Sequence, residues 1–240
     1  MTIVVTPEYI KFEHKAKKIA GDLNLNYQSK IFFPKEQKKG LYFLVVNEDK
    51  PYLLSSSGTE KPIYCNFLDW MKGSFKSNLS RCLKGVRKDP FIVDATAGFG
   101  RDAIELARHA RKIILVEREK WLVFLIKNSL VNSPDNSILQ KVEVLNMDSN
   151  KYLSSLTSLP DVIYLDPMFV EESLSKAKKH LQLLRENTTR ACNKNLLSLS
   201  LSKAKDRVVV KRHKKQEYLE SKNPTYSIKG KVIRFDVYKV

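Results

Sequence analysis

Two stretches of this chain carry residue types that can do chemistry together. The first is Asp94-Ala95-Thr96-Ala97-Gly98-Phe99-Gly100-Arg101-Asp102-Ala103, in which Gly98 to Ala103 satisfy the pattern G-x-G-x-x-G/A. Glycines in such a turn let the backbone bend sharply and approach a ligand closely. Glu117 follows Gly98 by 19 residues, where an acid can hold ribose hydroxyls. Gly98, Gly100 and Glu117 therefore point to an adenosine-bearing cofactor at the carboxyl ends of strands. Asp94 tilts the choice, because a carboxylate there attracts an ammonium and repels a pyrophosphate. Asp94 and Asp102 read equally as caps of a turn or helix. Asp148, after Val144-Leu145-Asn146-Met147, can accept from an adenine amine or cap the helix that follows.

The second stretch is Asp166-Pro167-Met168-Phe169, directly after the apolar run Val162-Ile163-Tyr164-Leu165. It resembles the Asp/Asn-Pro-Pro-aromatic loop of methyltransferases that act on the exocyclic amino groups of bases. Such an amine is conjugated and a poor nucleophile, so its lone pair must be aimed at the methyl carbon. Asp166 and the Pro167 carbonyl can accept its two N–H bonds, and proline fixes φ so that the carbonyl stays in place. Phe169 can stack on an extruded base. The plain alternative is an Asp-Pro turn ending a strand, with Met168 and Phe169 packed beside it.

The elements that must position these residues alternate from Asp89 onward. Strands are expected at 91–96, 112–117, 141–147, 162–166 and 207–212, with helices at 101–110, 119–132, 171–191 and 194–204. That order predicts βαβ units and a mostly parallel sheet. At the end, Thr225–Lys231 and Val232–Val240 form two strands with no helix between them. An antiparallel hairpin closing a parallel sheet is the pattern of S-adenosylmethionine (SAM) methyltransferases. Residues 1–60 read as a small N-terminal α+β subdomain, with a helix near Glu13–Ala20 and a hairpin around Asn47-Glu48-Asp49-Lys50. Residues 61–88 read as a basic connector, and 89–240 as the catalytic domain.

Composition narrows the partners. Forty-three Lys and Arg against 26 Asp and Glu give a formal charge of +17, which favours a polyanion. No apolar run approaches the roughly 20 residues of a membrane-spanning helix, and the N-terminus lacks the basic and apolar regions of a signal peptide. Cys65, Cys82 and Cys192 are odd in number and widely spaced, which suits neither a disulfide framework nor zinc. The four histidines show no metal-ligand spacing. A reduced, cytoplasmic protein without metal is expected. Lys211 and Arg212, emerging after Val208-Val209-Val210, are candidates for RNA phosphate contact, or belong to a solvated basic loop. Lys15, Lys17, Lys18, Lys35, Lys38 and Lys39 suggest that the N-terminal part docks RNA.

Taken in order, Asp94–Ala103, Val116-Glu117-Arg118, Tyr164–Phe169, Arg207–Arg212 and Arg234-Phe235-Asp236-Val237-Tyr238 resemble the RsmJ family over residues 60 to 240. Those proteins are SAM-dependent guanine-N2 methyltransferases of small-subunit (16S) ribosomal RNA. The resemblance implies a class I, Rossmann-like SAM-methyltransferase fold with an antiparallel C-terminal strand. It implies SAM contacts at Arg101, Asp102, Glu117, Arg118, Asp148, Ser149 and Asp166, with 16S rRNA or the small subunit as partner. The chain departs from the family at Trp70–Asn78, where a longer glycine-rich basic segment is usual, and at Val170-Glu171-Glu172-Ser173. The other readings are an amino-group methyltransferase for adenine, DNA or protein, an NAD-dependent oxidoreductase, and a non-catalytic ribosome assembly factor. The residues do not specify the oligomeric state.

Overall fold

The computed structural model describes residues 1–32, 40–72, 77–133, 136–167 and 195–240. The expected helix at 171–191 lies outside them, as do Lys35, Lys38, Lys39, Lys76, Phe169 and Cys192. The chain divides into two compact units. One contains Met1–Asn66 and Phe124–Asn132; the other contains Phe67–Val123, Ser133–Pro167 and the described residues from 195 to 240. Residues expected as the connector therefore cluster, from Phe67 onward, with the second unit.

The first unit is built on β1 (Thr2–Pro7), α1 (Glu13–Leu23), β2 (Asn26–Tyr27), β3 (Leu41–Val46), β4 (Tyr52–Ser55) and β5 (Ile63–Tyr64). Its sheet has the order β2-β1-β3-β4-β5. The expected hairpin is present, with Phe43 opposite Leu54 and Val45 opposite Tyr52. Asn47 closes its turn, because its side chain accepts from the Lys50 amide at 2.8 Å and donates to the Lys50 carbonyl at 3.0 Å. Strand β1 has no counterpart among the expected elements. It pairs in parallel with β3 from Thr2–Leu41 to Pro7–Val46, a long-range pairing that local patterning does not announce.

The second unit carries α2 (Phe67–Met71), α3 (Asn78–Cys82), β6 (Phe91–Asp94), α4 (Arg101–His109), β7 (Lys112–Glu117) and the start of α5 (Lys120–Val131). Beyond these come β8 (Val142–Asn146), α6 (Ser149–Ser155), β9 (Val162–Leu165), α7 (Leu196–Lys203), β10 (Arg207–His213), β11 (Tyr226–Lys229) and β12 (Ile233–Lys239). The sheet order is β11-β12-β10-β9-β6-β7-β8. Pairing is parallel from β8 through β10, while β12 runs antiparallel to both β10 and β11. The central strands β6 and β9 are buried at every residue, which is why they read as unbroken apolar runs. Edge strand β8 alternates more polar positions, as an edge should.

Strand β6 is the topological switch point. From it the chain winds through β7 and β8 on one side, and β9 and β10 lie on the other. In open α/β sheets the crevice at such a point, outside the carboxyl ends of the strands, is where ligands bind. Buried charges secure the antiparallel end. Arg234 Nε donates to both oxygens of the fully buried Asp236, at 2.8 and 3.0 Å, while its Nη1 reaches the carbonyls of Lys214 and Gln216.

Candidate active site

Asp94 ends β6 and is buried, and the turn that follows carries Gly98 at φ +55° and Gly100 at φ +75°. Glycine occupies both because side chains are strained in that region. The two then differ in space. A Cβ at Gly98 would meet nothing within 4 Å, whereas one at Gly100 would lie 2.9 Å from the Phe67 ring. Gly100 is thus a packing requirement as well as a cofactor candidate, and it begins α4 in place of a side-chain cap.

Glu117 closes the turn from the neighbouring strand. Its Oε2 accepts from the Gly98 amide and its Oε1 from the Glu119 amide, each at 2.9 Å. Burial pushes its carboxyl up to about 7, against those amides, which favour the ionised form. Asn146 braces the same loop, donating to the carbonyls of Glu117 at 3.0 Å and Arg118 at 2.8 Å. Arg118 Nε lies 3.4 Å from Glu119. Arg101 stacks over the Trp70 ring at 4.9 Å.

Asp148 is the N-cap of α6, its Oδ1 accepting from the amides of Asn150 and Lys151 at 3.0 and 3.1 Å. Ser149 Oγ donates to the Ala95 carbonyl, tying α6 to the end of β6. Phe99 of the glycine turn meets Trp121 edge-on, with centroids 6.1 Å apart. Trp121 is buried, and its Nε1 has no hydrogen-bond partner among the described residues.

Asp166 stands just beyond β9. Thr96 joins it to Asp94, since the Thr96 amide donates to Asp94 Oδ1 at 3.1 Å and the Thr96 hydroxyl accepts from the Asp166 amide at 2.6 Å. Lys211 of β10 completes the group, with Nζ 2.6 Å from Asp102 Oδ2 and 3.1 Å from Asp166 Oδ2. Tyr164, buried in β9, donates to the same Asp102 oxygen at 2.6 Å. Burial, with Asp102 and Asp166 nearby, raises the Asp94 carboxyl well above the ordinary range. Burial would lower the Lys211 ammonium, but Asp166 and Asp102 outweigh it and raise it.

The structure therefore brings Asp94, Gly98, Asp102, Glu117 and Asp166 to one end of the sheet, and Pro167 follows directly. Lys211, expected at an RNA phosphate, lies among these carboxylates instead of in a solvated loop. Arg212 points elsewhere on β10: it is buried and donates to the Glu217 carbonyl at 3.1 and 2.7 Å. Thr96, Tyr164 and the carboxylate role of Lys211 escaped the sequence reading. The available signal was strand alternation, which sets Lys211 on the face opposite Arg212. Among the described residues no group of His, Cys, Asp and Glu is placed to hold a metal ion, and no helix is long and apolar enough to cross a membrane.

Known proteins resemble this chain in sequence and fold. The SAM-dependent methyltransferase family SAM_MT matches residues 37–240. A crystal structure of a SAM-dependent methyltransferase from Neisseria gonorrhoeae superposes with a TM-score of 0.73, covering 99% of this chain and 96% of that one at 22% identity, a likeness of fold. Ribosomal RNA small subunit methyltransferase J of Francisella philomiragia is 33% identical over 174 residues, 69% of this chain and 72% of that protein. The protein of the same name from Coxiella burnetii (strain RSA 331 / Henzerling II) is 33% identical over 210 residues, 82% of this chain and 83% of its own. This chain belongs to the ribosomal RNA small subunit methyltransferase J family.

The family match makes SAM the cofactor. The residues fit it. The space over Gly98 is open, the carboxylates of Asp94, Asp102, Glu117 and Asp166 complement its two cationic centres and its ribose hydroxyls, and Trp121 Nε1 is a buried donor to spare. The antiparallel β12 between β10 and β11 is the class I methyltransferase arrangement expected from the terminal hairpin.

Proposed function

We propose that this SAM-dependent methyltransferase modifies the exocyclic N2 of a guanosine in small-subunit (16S) ribosomal RNA, in the cytoplasm. The observation that carries the reading is Asp166 at the switch point, its amide held by Thr96 and its carboxylate by Lys211, with Pro167 next in the chain. The methyltransferase J relatives and the net charge of +17 support an RNA acceptor.

SAM supplies a methyl group on a sulfonium, a leaving group that departs as a neutral thioether. Asp94 and Asp102 would attract its ammonium and Glu117 would accept from its ribose hydroxyls. Arg101, Arg118, Asp148 and Ser149 would be further cofactor contacts. Asp166 and the Pro167 carbonyl would accept the two N–H bonds of the guanine amine and direct its lone pair in line with the methyl carbon. Asp166 would take the proton that the amine gives up on methylation. Phe169 would stack on the extruded base. Positioning and electrostatics account for the rate, and no covalent protein intermediate is needed. Arg212, buried on the Glu217 carbonyl, would meet RNA only if that contact opens.

The test is to incubate the protein with radiolabelled SAM and small subunits from cells lacking it, then digest the RNA. Label in N2-methylguanosine is the expected result. Label in another nucleoside, or none with SAM binding intact, overturns the assigned acceptor.

A further inference from the structure

Lys211 follows three fully buried valines, and its own side chain is only 22% exposed. A lysine reaching for RNA would extend into solvent. This one turns into the site and bonds two carboxylates from different elements, Asp102 of α4 and Asp166 beyond β9. Tyr164 shares the Asp102 oxygen. One ammonium thus stands between two carboxylates.

Methyl transfer removes one positive charge from the cofactor, because a sulfonium becomes a thioether. Asp102 takes no part in that step, and Asp166 takes up only the proton of the amine. A site with uncompensated negative charge therefore holds SAM more tightly than its demethylated product, S-adenosylhomocysteine (SAH), and deepens the ground state that catalysis must leave. We propose that Lys211 is the standing counter-ion of the cofactor site and sets its preference between SAM and SAH. The inference rests on SAM use and not on the identity of the RNA acceptor.

Calorimetric titration of the full chain with SAM, with SAH, and with a SAM analogue bearing a protonated amine in place of the sulfonium tests this without RNA. In Lys211→Met the ratio Kd(SAH)/Kd(SAM) is expected to rise about tenfold, the order expected when one nearby partly buried charge is removed. Lys211→Arg, which keeps the charge, is expected to hold the wild-type ratio within about twofold, and the amine analogue to follow SAM. Melting curves establish that each variant is folded, and Lys211→Gln carries the test if Lys211→Met is not. An unchanged ratio in the folded neutral variant overturns the proposal, as does an amine analogue that follows SAH. The radiolabelling assay above can fail without altering these ratios, so the two readings stand or fall separately.

Discussion

The Gly98 amide donates to Oε2 of Glu117 at 2.9 Å, so the acid ending β7 holds the turn that follows β6. Sequence spacing offers this acid to the ribose; the fold also makes it a brace for the backbone beneath the cofactor. The two roles act on the same carboxylate and can be separated by pH.

Burial raises Glu117 from 4.5 to about 7, so the folded state holds this proton more tightly than the unfolded state. Its contribution to stability is present at low pH and is lost as pH rises from 4.5 through about 7. Accepting from two ribose hydroxyls needs the ionised form. SAM affinity is therefore expected to strengthen as pH rises from about 6 to about 8, by up to roughly tenfold per unit below the midpoint, and then level off. Titrations across that range check it, and Glu117→Gln should abolish the step near neutrality.

Asp166→Ala should leave SAM affinity within roughly fivefold of wild type while methyl transfer falls by about two orders of magnitude or more. Single-turnover rates on small subunits, alongside calorimetric Kd values, separate the two effects. Wild-type turnover in this variant would remove Asp166 from the mechanism.

The two turn glycines should fail differently. Gly100→Ala drives a methyl against the Phe67 ring from a strained backbone, and should destabilise the protein by about 1–3 kcal/mol. Gly98→Ala has open space before it, so its folding cost should be only the backbone strain, about 1 kcal/mol, while SAM affinity falls markedly. Thermal melts with and without SAM distinguish them.

Asp148 caps α6 through one oxygen, so its replacements test capping against cofactor contact. Asp148→Asn keeps the cap and should leave stability within about 0.5 kcal/mol, whereas Asp148→Ala should lose about 1 kcal/mol. If the carboxylate also accepts from adenine, Asp148→Asn weakens SAM binding about tenfold, because its amide cannot both cap and accept. Unchanged affinity in Asp148→Asn would leave Asp148 with the cap alone.

The features legible in the chain are local. The apolar runs at 91–94, 112–117, 162–165 and 207–210 announce buried parallel strands, the glycines announce the turn, and Asp166-Pro167 announces a strand-ending loop. Each signal lies within a few residues of the feature it specifies, because period and turn chemistry are short-range properties. The terminal hairpin was legible for the same reason.

Where β1 pairs, the insertion of β12 between β10 and β11, and what the charged side chains meet emerge only in the assembled sheets. Lys211 is 109 residues from Asp102 and 45 from Asp166, and its neighbours Val210 and Arg212 do not tell a lysine bonded to two carboxylates from a surface lysine. Arg212, one residue on, faces the Glu217 carbonyl instead. Burial and the identity of a partner are properties of the assembled sheet, and they set the charge each group carries and hence its role.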